Sequence, residues 1–386
     1  MSDDIAKPVT PETFAAQAGG GVDVETGAIV APIHVTTTYE RGADLAYPKG
    51  YVYARPDNAT VRQAEAVITR LEHGAETLLV PSGMAAAVSL FLALDKPAHV
   101  IAPTVMYWSL RNWLATEGAR YGIEATFIDT TDTDLVARTV RPGETKLIWI
   151  ETPGNPLWQI SDIAAIAAIA NWAGGLLAVD STCATPVLTN PLKLGADIVM
   201  HSATKYLNGH SDVMAGSLTF ADPTSPLFEA TSRLRGQHGT ILGPFEAALL
   251  MRGLRTLHVR VAHQCRSAMA VAKAMSSDSR VADVLYPGLK TTPGHALAAR
   301  QMTGGFGGML SIRVRGGEAA AIAAAARLRV WKRATSLGGV ESLVEHRASV
   351  EGAGTPCPPD LLRLSVGLET ADDLIADLQQ ALVGNG

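Results

Sequence analysis

The chain has 386 residues, of which 47% are hydrophobic and 18% charged, and these proportions are ordinary for a globular protein large enough for two hydrophobic cores. Its 32 basic and 37 acidic side chains give a formal charge of −5 without a long run of either sign, which argues against nucleic acid or an anionic membrane as main partner. The three cysteines lie far apart, outside any Cys-x-x-Cys pattern, and this favours reduced thiols over a disulfide or metal site.

The N-terminus and the longest apolar segment bear on location. Met1 to Pro8 contain no basic region followed by an apolar stretch, so no secretory signal is predicted and the cytoplasm is expected. The apolar region 163–179 is interrupted by polar residues and by two glycines, and it is shorter than the ~20 residues that cross a bilayer. We therefore expect no membrane segment.

Three regions follow one another along the chain. Residues 1–58 are rich in Gly, Pro, Thr and Tyr, and this composition predicts an extended N-terminal arm. Residues 59–245 alternate predicted helices with short apolar strands, a pattern typical of a mostly parallel sheet covered on both faces. Residues 246–386 predict a smaller α+β domain. The strands predicted in the central region are 77–80, 99–102, 124–128, 147–151, 176–180 and 197–201, with helices at 61–72 and 84–94.

The C-terminal region has fewer strands. One long helical stretch is predicted near 245–274, and glycine-rich turns then precede a strand at 309–314. An alanine-rich helix is expected at 318–328, and a last helix after Asp372.

Lys205 lies twenty-five residues after Asp180, just beyond Ser202 and Thr204. Such a lysine can hold an aldehyde cofactor as a Schiff base while the hydroxyl groups bind its phosphate. An aspartate that closes the apolar strand 176–180 can keep a pyridine nitrogen protonated. The combination indicates pyridoxal phosphate, although a Thr-Lys pair alone is also typical of a solvated surface loop.

Ser82, Gly83 and Met84 follow a predicted strand and open a helix. The first N–H groups of a helix are unpaired and carry the positive end of its dipole, so this corner suits a phosphate. Ser202 and Thr204 would supply a second set of donors.

Other candidate residues follow strands or lie within them. Tyr107 could stack on a pyridine ring or simply cover the core, and Asn155 could contact a cofactor oxygen or serve as a turn residue before proline. Arg363 alternates within an apolar strand, where its guanidinium needs either a substrate carboxylate or an internal salt bridge. Tyr53 and Arg55 are either arm anchors or parts of a neighbouring subunit's site.

Other chemistries find no support in the sequence. A Gly-x-x-x-x-Gly-Lys-[Ser/Thr] loop is missing, as is a His-Glu-x-x-His pattern, so we expect no resident metal. Ser202 also lacks the Gly-x-Ser-x-Gly elbow of hydrolases.

Taken together, the motifs resemble the cystathionine-type family of pyridoxal-phosphate enzymes (β-lyases, γ-lyases and γ-synthases), which act on sulfur amino acids. The resemblance runs from about Gly27 to the C-terminus. The similar segments are 31–39, 53–55, 82–84, 151–156, 180, 202–206, 209–212, 252–257, 336–343 and 363–367.

The resemblance implies a fold like that of aspartate aminotransferase and a tetramer built from two dimers. It implies that Lys205 carries the cofactor and moves protons, assisted by Tyr107, and that Asp180 holds the ring nitrogen. The phosphate would be held by Ser82, Gly83, Met84, Ser202 and Thr204, with Tyr53 and Arg55 of the partner subunit. Arg363, with Asn155, Ser336 and Tyr53, would orient the substrate.

Several positions depart from the pattern of the family. Val52 stands where several γ-synthases carry aspartate, and Thr335 where γ-synthases and γ-lyases often carry glutamate, so a distal ammonium would lack those acids. Trp108 and Ser109 follow Tyr107, so the cysteine of methionine γ-lyases is missing, and Leu337 replaces the tryptophan of many bacterial β-lyases.

These observations predict a lyase that removes a Cβ or Cγ substituent from an amino acid and yields a thiol or another leaving group, ammonia and a 2-oxo acid. Two alternatives remain open: a γ-replacement synthase acting on an activated homoserine, and a γ-lyase for a non-sulfur substrate such as canavanine.

Overall fold

The computed structural model describes residues 9–352 and 354–383. A seven-stranded sheet lies in the first two thirds of the chain. Its strands are β1 (Glu76–Val80), β2 (Ala98–Pro103), β3 (Ile123–Ile128), β4 (Thr145–Glu151), β5 (Leu176–Asp180), β6 (Ile198–His201) and β7 (Gly216–Phe220). Their order across the sheet is β1-β7-β6-β5-β4-β2-β3, and β7 runs antiparallel to both of its neighbours. The other strands run in one direction, as the alternation of helices and apolar strands predicts.

A second sheet follows. Its strands are β8 (Val281–Leu285), β9 (Met309–Val314), β10 (Lys332–Arg333), β11 (Leu343–His346) and β12 (Leu361–Ser365). Their order is β10-β11-β12-β9-β8, with every pair antiparallel except β10 and β11. This mixed, smaller sheet agrees with the α+β character expected of the C-terminal region, while the predicted boundaries at 58 and 245 stay predictions.

Helices cover both faces of the first sheet. They include α1 (Pro11–Ala16), α2 (Ala59–Glu72), α3 (Gly83–Ala93), α4 (Trp108–Thr116), α5 (Thr133–Thr139), α6 (Ile163–Trp172), α7 (Thr185–Leu188) and α8 (Pro226–His238). Successive side chains of β4 point to opposite faces: Trp149 packs with α3 and α4, whereas Ile148 and Ile150 pack with α5 and α6. Burial on both faces explains why these strands are almost continuously apolar.

The remaining helices are α9 (Pro244–Leu254), α10 (Leu257–Ser276), α11 (His295–Gln301), α12 (Gly317–Arg327), α13 (Arg347–Glu351) and α14 (Ala371–Ala381). Short 3₁₀ turns occur at Ala18–Gly20, Gly118–Tyr121 and Pro191–Leu194. Within the described residues, none of these helices is both long enough and apolar enough to cross a membrane.

The prediction of one helical stretch over 245–274 is wrong, because α9 ends at Leu254 and α10 starts at Leu257. The chain turns where Gly253 lies against the backbone of Asn208, so close that a Cβ there would meet its carbonyl oxygen. Arg260 fixes the turn by donating a 2.8 Å hydrogen bond to the carbonyl of Gly253.

The arm is extended as predicted, apart from α1 and the first 3₁₀ turn. The N-terminal segment 1–8, on which the secretory prediction rests, lies outside the described residues. Several apolar side chains of the arm are exposed, among them Val24, Ile29, Val30 and Val35.

Candidate active site

A cavity of about 240 Å³ lies where the carboxyl ends of β4, β5 and β6 meet the start of α3. Ligands of open α/β folds collect at this edge of a sheet. The cavity is lined by Ser82, Gly83, Met84, Ala87, Tyr107, Leu110, Glu151, Asn155, Asp180, Thr182, Cys183, Met200, Ser202, Thr204, Lys205, Met214 and Leu337. Most of the residues that the sequence singles out are therefore neighbours in space.

Lys205 follows β6 in a tight turn, and its Nζ donates a 2.7 Å hydrogen bond to Oγ of Ser336. Burial, followed by the positive charge of Arg363, lowers the pKa of Lys205 to about 8. A larger share of neutral amine is therefore present near neutral pH, and the neutral amine is the form that attacks an aldehyde.

Asp180 is the last residue of β5 and is buried. The backbone N–H and the hydroxyl of Thr182 donate hydrogen bonds of 3.0 and 2.5 Å to Oδ1 of Asp180, and among the described residues Oδ2 accepts none. Burial raises the pKa of Asp180, while the hydrogen bonds from Thr182 lower it. Oδ2 can therefore accept a hydrogen bond from a donor group that enters the cavity.

Glu151 is a buried carboxyl group to which the sequence analysis gives no role. It pairs in register with Asp180 across β4 and β5, and its oxygens accept hydrogen bonds from the backbone N–H groups of Tyr107 (2.7 Å) and Asn155 (2.8 Å). Burial, and then the neighbouring Asp180, raise the pKa of Glu151. The signal in the sequence that could have pointed to Glu151 is its position at the end of a largely buried, apolar strand.

The start of α3 faces the turn that carries Ser202. Ser82 caps the helix by accepting a 3.0 Å hydrogen bond from the N–H of Ala85. The close approach of the start of α3 to the Ser202 turn requires glycine at position 83, since a Cβ there would lie 2.8 Å from Cβ of Ser202. The hydroxyl of Thr204 lies on the same side of the cavity and is held by both the N–H and the carbonyl of Ala215.

Arg363 lies on β12 and reaches the same region from the second sheet. Its guanidinium donates to Oδ1 of Asn155 (3.2 Å) and to the carbonyl of Ser336 (2.9 Å), and it forms a 2.5 Å ion pair with Glu345. Of the two partners that the sequence analysis considers for Arg363, the internal salt bridge is thus present. Ser336 has φ +81°, a strained conformation for a residue other than glycine, and it contacts both Arg363 and Lys205.

Tyr53 and Arg55 do not line this cavity in their own chain. The ring of Tyr53 is 45% exposed, and Arg55 donates a hydrogen bond to the carbonyl of Gly236. A role for the two residues in a neighbouring subunit's site stays a prediction.

Of the positions that depart from the family pattern, Leu337 lines the cavity, whereas Val52, Trp108 and Thr335 do not. Val52 is exposed in the arm, and Trp108 starts α4 with the guanidinium of Arg111 over its ring. Thr335 lines an adjacent cleft with Ser336.

The donor set fits an aldehyde cofactor that carries a phosphate. The cavity supplies one amine, one buried carboxylate with an open oxygen, the start of a helix flanked by hydroxyl groups, and the Tyr107 ring beside them. A metal ion finds no comparable site, because residues 9–352 and 354–383 contain no group of three His, Cys, Asp or Glu side chains that could bind one.

Comparison with known families decides the identity of the fold. A sequence model of the family described as "Cys/Met metabolism PLP-dependent enzyme" matches residues 12–383. The chain belongs to this family. Like its members, this Cys/Met metabolism enzyme depends on pyridoxal phosphate, which confirms the predicted cofactor.

Relatives of this Cys/Met metabolism enzyme include lyases and synthases. Cystathionine gamma-synthase of Mycobacterium tuberculosis is 43% identical over 378 residues, 96% of each chain. Cystathionine gamma-lyase of Bacillus subtilis is 39% identical over 373 residues, which are 94% of this chain and 97% of the relative. Cystathionine beta-lyase of Coxiella burnetii is 37% identical over 380 residues, which are 96% of this chain and 97% of the relative.

The crystal structure of MetB from Corynebacterium glutamicum superposes with a TM-score of 0.93 at 40% identity, covering 97% of this chain and 98% of that one. The predicted fold class is confirmed. The prediction of an enzyme of sulfur amino-acid metabolism, of lyase or γ-replacement type, agrees with relatives of both kinds.

Proposed function

We propose that the protein is a lyase that removes a heteroatom substituent from Cβ or Cγ of an amino acid and, with the uptake of one water molecule, releases a thiol or another leaving group, ammonia and a 2-oxo acid. The observation that carries this proposal is the double contact of Ser336, whose hydroxyl accepts from Lys205 while its carbonyl accepts from Arg363. An amino acid held by its carboxylate at Arg363 would have its Cα beside the lysine amine.

The cofactor would be held by the residues around the cavity. Lys205 would bind it covalently, and Asp180 would accept the N–H of its ring nitrogen through Oδ2. The N–H groups of Gly83 and Met84, with the hydroxyls of Ser82, Ser202 and Thr204, would bind the phosphate, and Tyr107 would stack on the ring. Pyridoxal phosphate, when bound, supplies an acceptor for the electrons left at Cα after deprotonation.

Proton transfer falls to Lys205. Its amine would remove the proton at Cα of the bound amino acid, and a substituent on Cβ could then depart with its bonding electrons. A substituent on Cγ departs only after a second proton, from Cβ, has moved. The lowered pKa of Lys205 favours the base form.

A γ-replacement synthase is the second candidate, because the 43% identical relative is named cystathionine gamma-synthase. Cystathionine is the substrate of the elimination and the product of the replacement, so the products of the reaction, rather than the room in the cavity, separate the two candidates.

The first experiment supplies cystathionine to the holoenzyme and identifies the 2-oxo acid by mass spectrometry. Pyruvate supports β-elimination and 2-oxobutyrate supports γ-elimination. In parallel, an O-acyl homoserine with cysteine tests replacement, since newly formed cystathionine would favour the synthase. The Lys205→Ala variant is the control that should form none of these products.

A different result is a holoenzyme with normal visible absorption that releases no 2-oxo acid from cystathionine. That result would indicate that the non-acidic side chains at Val52 and Thr335 exclude cystathionine as substrate. Neither can pair with a distal ammonium group, so canavanine would be supplied next. No 2-oxo acid from either substrate would overturn the lyase proposal.

We further propose a cytoplasmic homotetramer, a dimer of dimers in which Tyr53 and Arg55 reach the partner subunit's cavity. Exposed apolar side chains of the arm support an interface, because contiguous exposed apolar surface is uncommon on monomers. Three buried, unpaired cysteines fit a reducing compartment. Light scattering coupled to gel filtration would give the subunit number, and a monomer would contradict the proposal.

A further inference from the structure

Four buried charges lie in a row behind the candidate site. Arg363 pairs with Glu345 at 2.5 Å, Glu345 with Arg347 at 3.2 Å, and Arg347 with Glu351 at 2.7 Å. Each of the four residues is at most 6% exposed. Two strands and one short helix supply them: Arg363 lies on β12, Glu345 on β11, and Arg347 and Glu351 at the two ends of α13. We name this row the charge row.

The contacts within the charge row are not equivalent. Both guanidinium groups bind the same oxygen of Glu345, Oε2, while its Oε1 has no hydrogen-bond partner among the described residues. Glu351 is bound by Arg347 through one oxygen and by the hydroxyl of Thr355 through the other. Glu345 is therefore shared between Arg363 and Arg347, and it is the only member that touches both.

This sharing bears on how Arg363 meets a substrate. Glu345 and an incoming carboxylate compete for the same guanidinium, because each is an anion within its reach. With Arg347 present, the charge row holds two cations and two anions. Glu345 then interacts with both guanidinium groups, so its interaction with Arg363 is weaker than it would be with Arg363 alone. Without Arg347, the row would carry one excess negative charge in a poorly solvated place.

We propose that Arg347 is a positioning residue for the substrate carboxylate: it draws on Glu345 and balances the charge row, so that Arg363 stays available to bind. The inference rests on the proposed function, in which Arg363 anchors an amino acid. It assigns part of the affinity for the carboxylate to a residue that is separated from Arg363 by the shared Glu345.

Substitutions of two neighbouring members of the charge row, one basic and one acidic, test the proposal in opposite directions. Arg347→Met leaves an excess negative charge and should weaken carboxylate binding, whereas Glu351→Gln leaves an excess positive charge and should strengthen it. The double variant restores neutrality. Arg313→Met, which removes a half-exposed partner of Asp360 on neighbouring β9, is the matched control.

The measurement titrates the holoenzyme with L-alanine and with ethylamine and follows the visible absorption of the lysine-bound cofactor. Neither probe has a leaving group, so binding is read without turnover, and the two differ by one carboxylate. We expect the dissociation constant for L-alanine to rise about tenfold in Arg347→Met, because one uncompensated negative charge near the site repels the carboxylate. It should fall in Glu351→Gln and return to within about threefold of the parent value in the double variant. Ethylamine binding should stay unchanged throughout.

The two failures are distinguishable. If the parent enzyme bound L-alanine no better than ethylamine, the carboxylate site, and with it the proposed function, would fall. If the parent discriminated but Arg347→Met and Glu351→Gln shifted L-alanine binding in the same direction, or not at all, only the role of Arg347 would be overturned. Should Arg347→Met fail to fold, the direction of the shift in Glu351→Gln, compared with the parent enzyme and with Arg313→Met, still decides.

Discussion

Nζ of Lys205 and Oγ of Ser336 lie 2.7 Å apart, although the lysine follows the first sheet and the serine precedes β11 of the second. Ser336 is also the residue whose carbonyl binds Arg363. One strained residue thus contacts the candidate base and the candidate carboxylate anchor. The distance between these two functions is consequently set by a single turn of the chain.

Lys205→Ala should abolish the yellow absorption of the lysine-bound cofactor and its change on addition of an amino acid. Under the proposed function, the covalent attachment and the proton transfer would both depend on this amine. Lys193→Ala is the control, since Lys193 lies on the surface beside His73. Absorption that persists in Lys205→Ala would contradict the assignment.

The rate at which the apoenzyme combines with pyridoxal phosphate should rise through pH about 8 and level off above it. Burial and Arg363 lower the pKa of Lys205 to about 8, and only its deprotonated form attacks the aldehyde. In Arg363→Ala the midpoint should move to higher pH, because a neighbouring cation is lost. Stopped-flow absorbance would measure both, and a rate still climbing toward pH 10 in the parent would contradict the expectation.

Arg363→Ala should raise KM with a smaller effect on kcat. A charge-assisted hydrogen bond to a carboxylate is worth about 1.5–3 kcal/mol, which corresponds to roughly 10- to 150-fold in affinity. Arg313→Ala serves as control, because its ion pair with Asp360 lies at the protein surface, away from the cavity. Steady-state kinetics would decide, and an unchanged KM in Arg363→Ala would point to another anchor.

Gly83→Ala should weaken the affinity of the apoenzyme for pyridoxal phosphate by about tenfold or more, since the added Cβ displaces Ser202 from the start of α3. Gly21→Ala, whose Cβ would meet nothing within 4 Å, is the comparison. Fluorescence titration of the apoenzymes measures both constants. Equal affinities in the two variants would remove this corner from the phosphate site.

Mixing inactive Tyr53→Phe and Lys205→Ala variants should restore part of the activity if the arm completes a neighbouring subunit's site. Hybrid dimers then contain one cavity with both native residues. Activity would be compared before and after subunit exchange, with exchange verified by mass spectrometry. Verified exchange without recovery would count against the shared site.

The fold was largely predictable because its strands are short, apolar and separated by helices. β7 escaped prediction, since Gly216, Ser217 and Thr219 make it less apolar than its neighbours, although it is fully buried. The break between α9 and α10 was equally hidden, because it depends on a contact between Gly253 and the distant Asn208. Local patterns carry no information about such long-range contacts.

The candidate site was predictable where residues follow strands, because the carboxyl ends of parallel strands converge. Lys205, Asp180 and Asn155 were found in this way. Glu151 and Arg347 were not, since their partners are fixed by register between strands and by the position of α13. Neither relationship can be read from one segment of the sequence.

The arrangement of Arg363 on the second sheet has a consequence for shortened forms of the chain. A fragment ending before Pro244 would retain Lys205, Asp180 and the start of α3, and so every group assigned to the cofactor within one chain, but no guanidinium for a carboxylate. Such a fragment, if folded, would treat amino acids and simple amines alike. Under the proposed function, selectivity for amino acids would therefore be a property that the C-terminal third of the polypeptide adds to a part of the chain that binds amines in general.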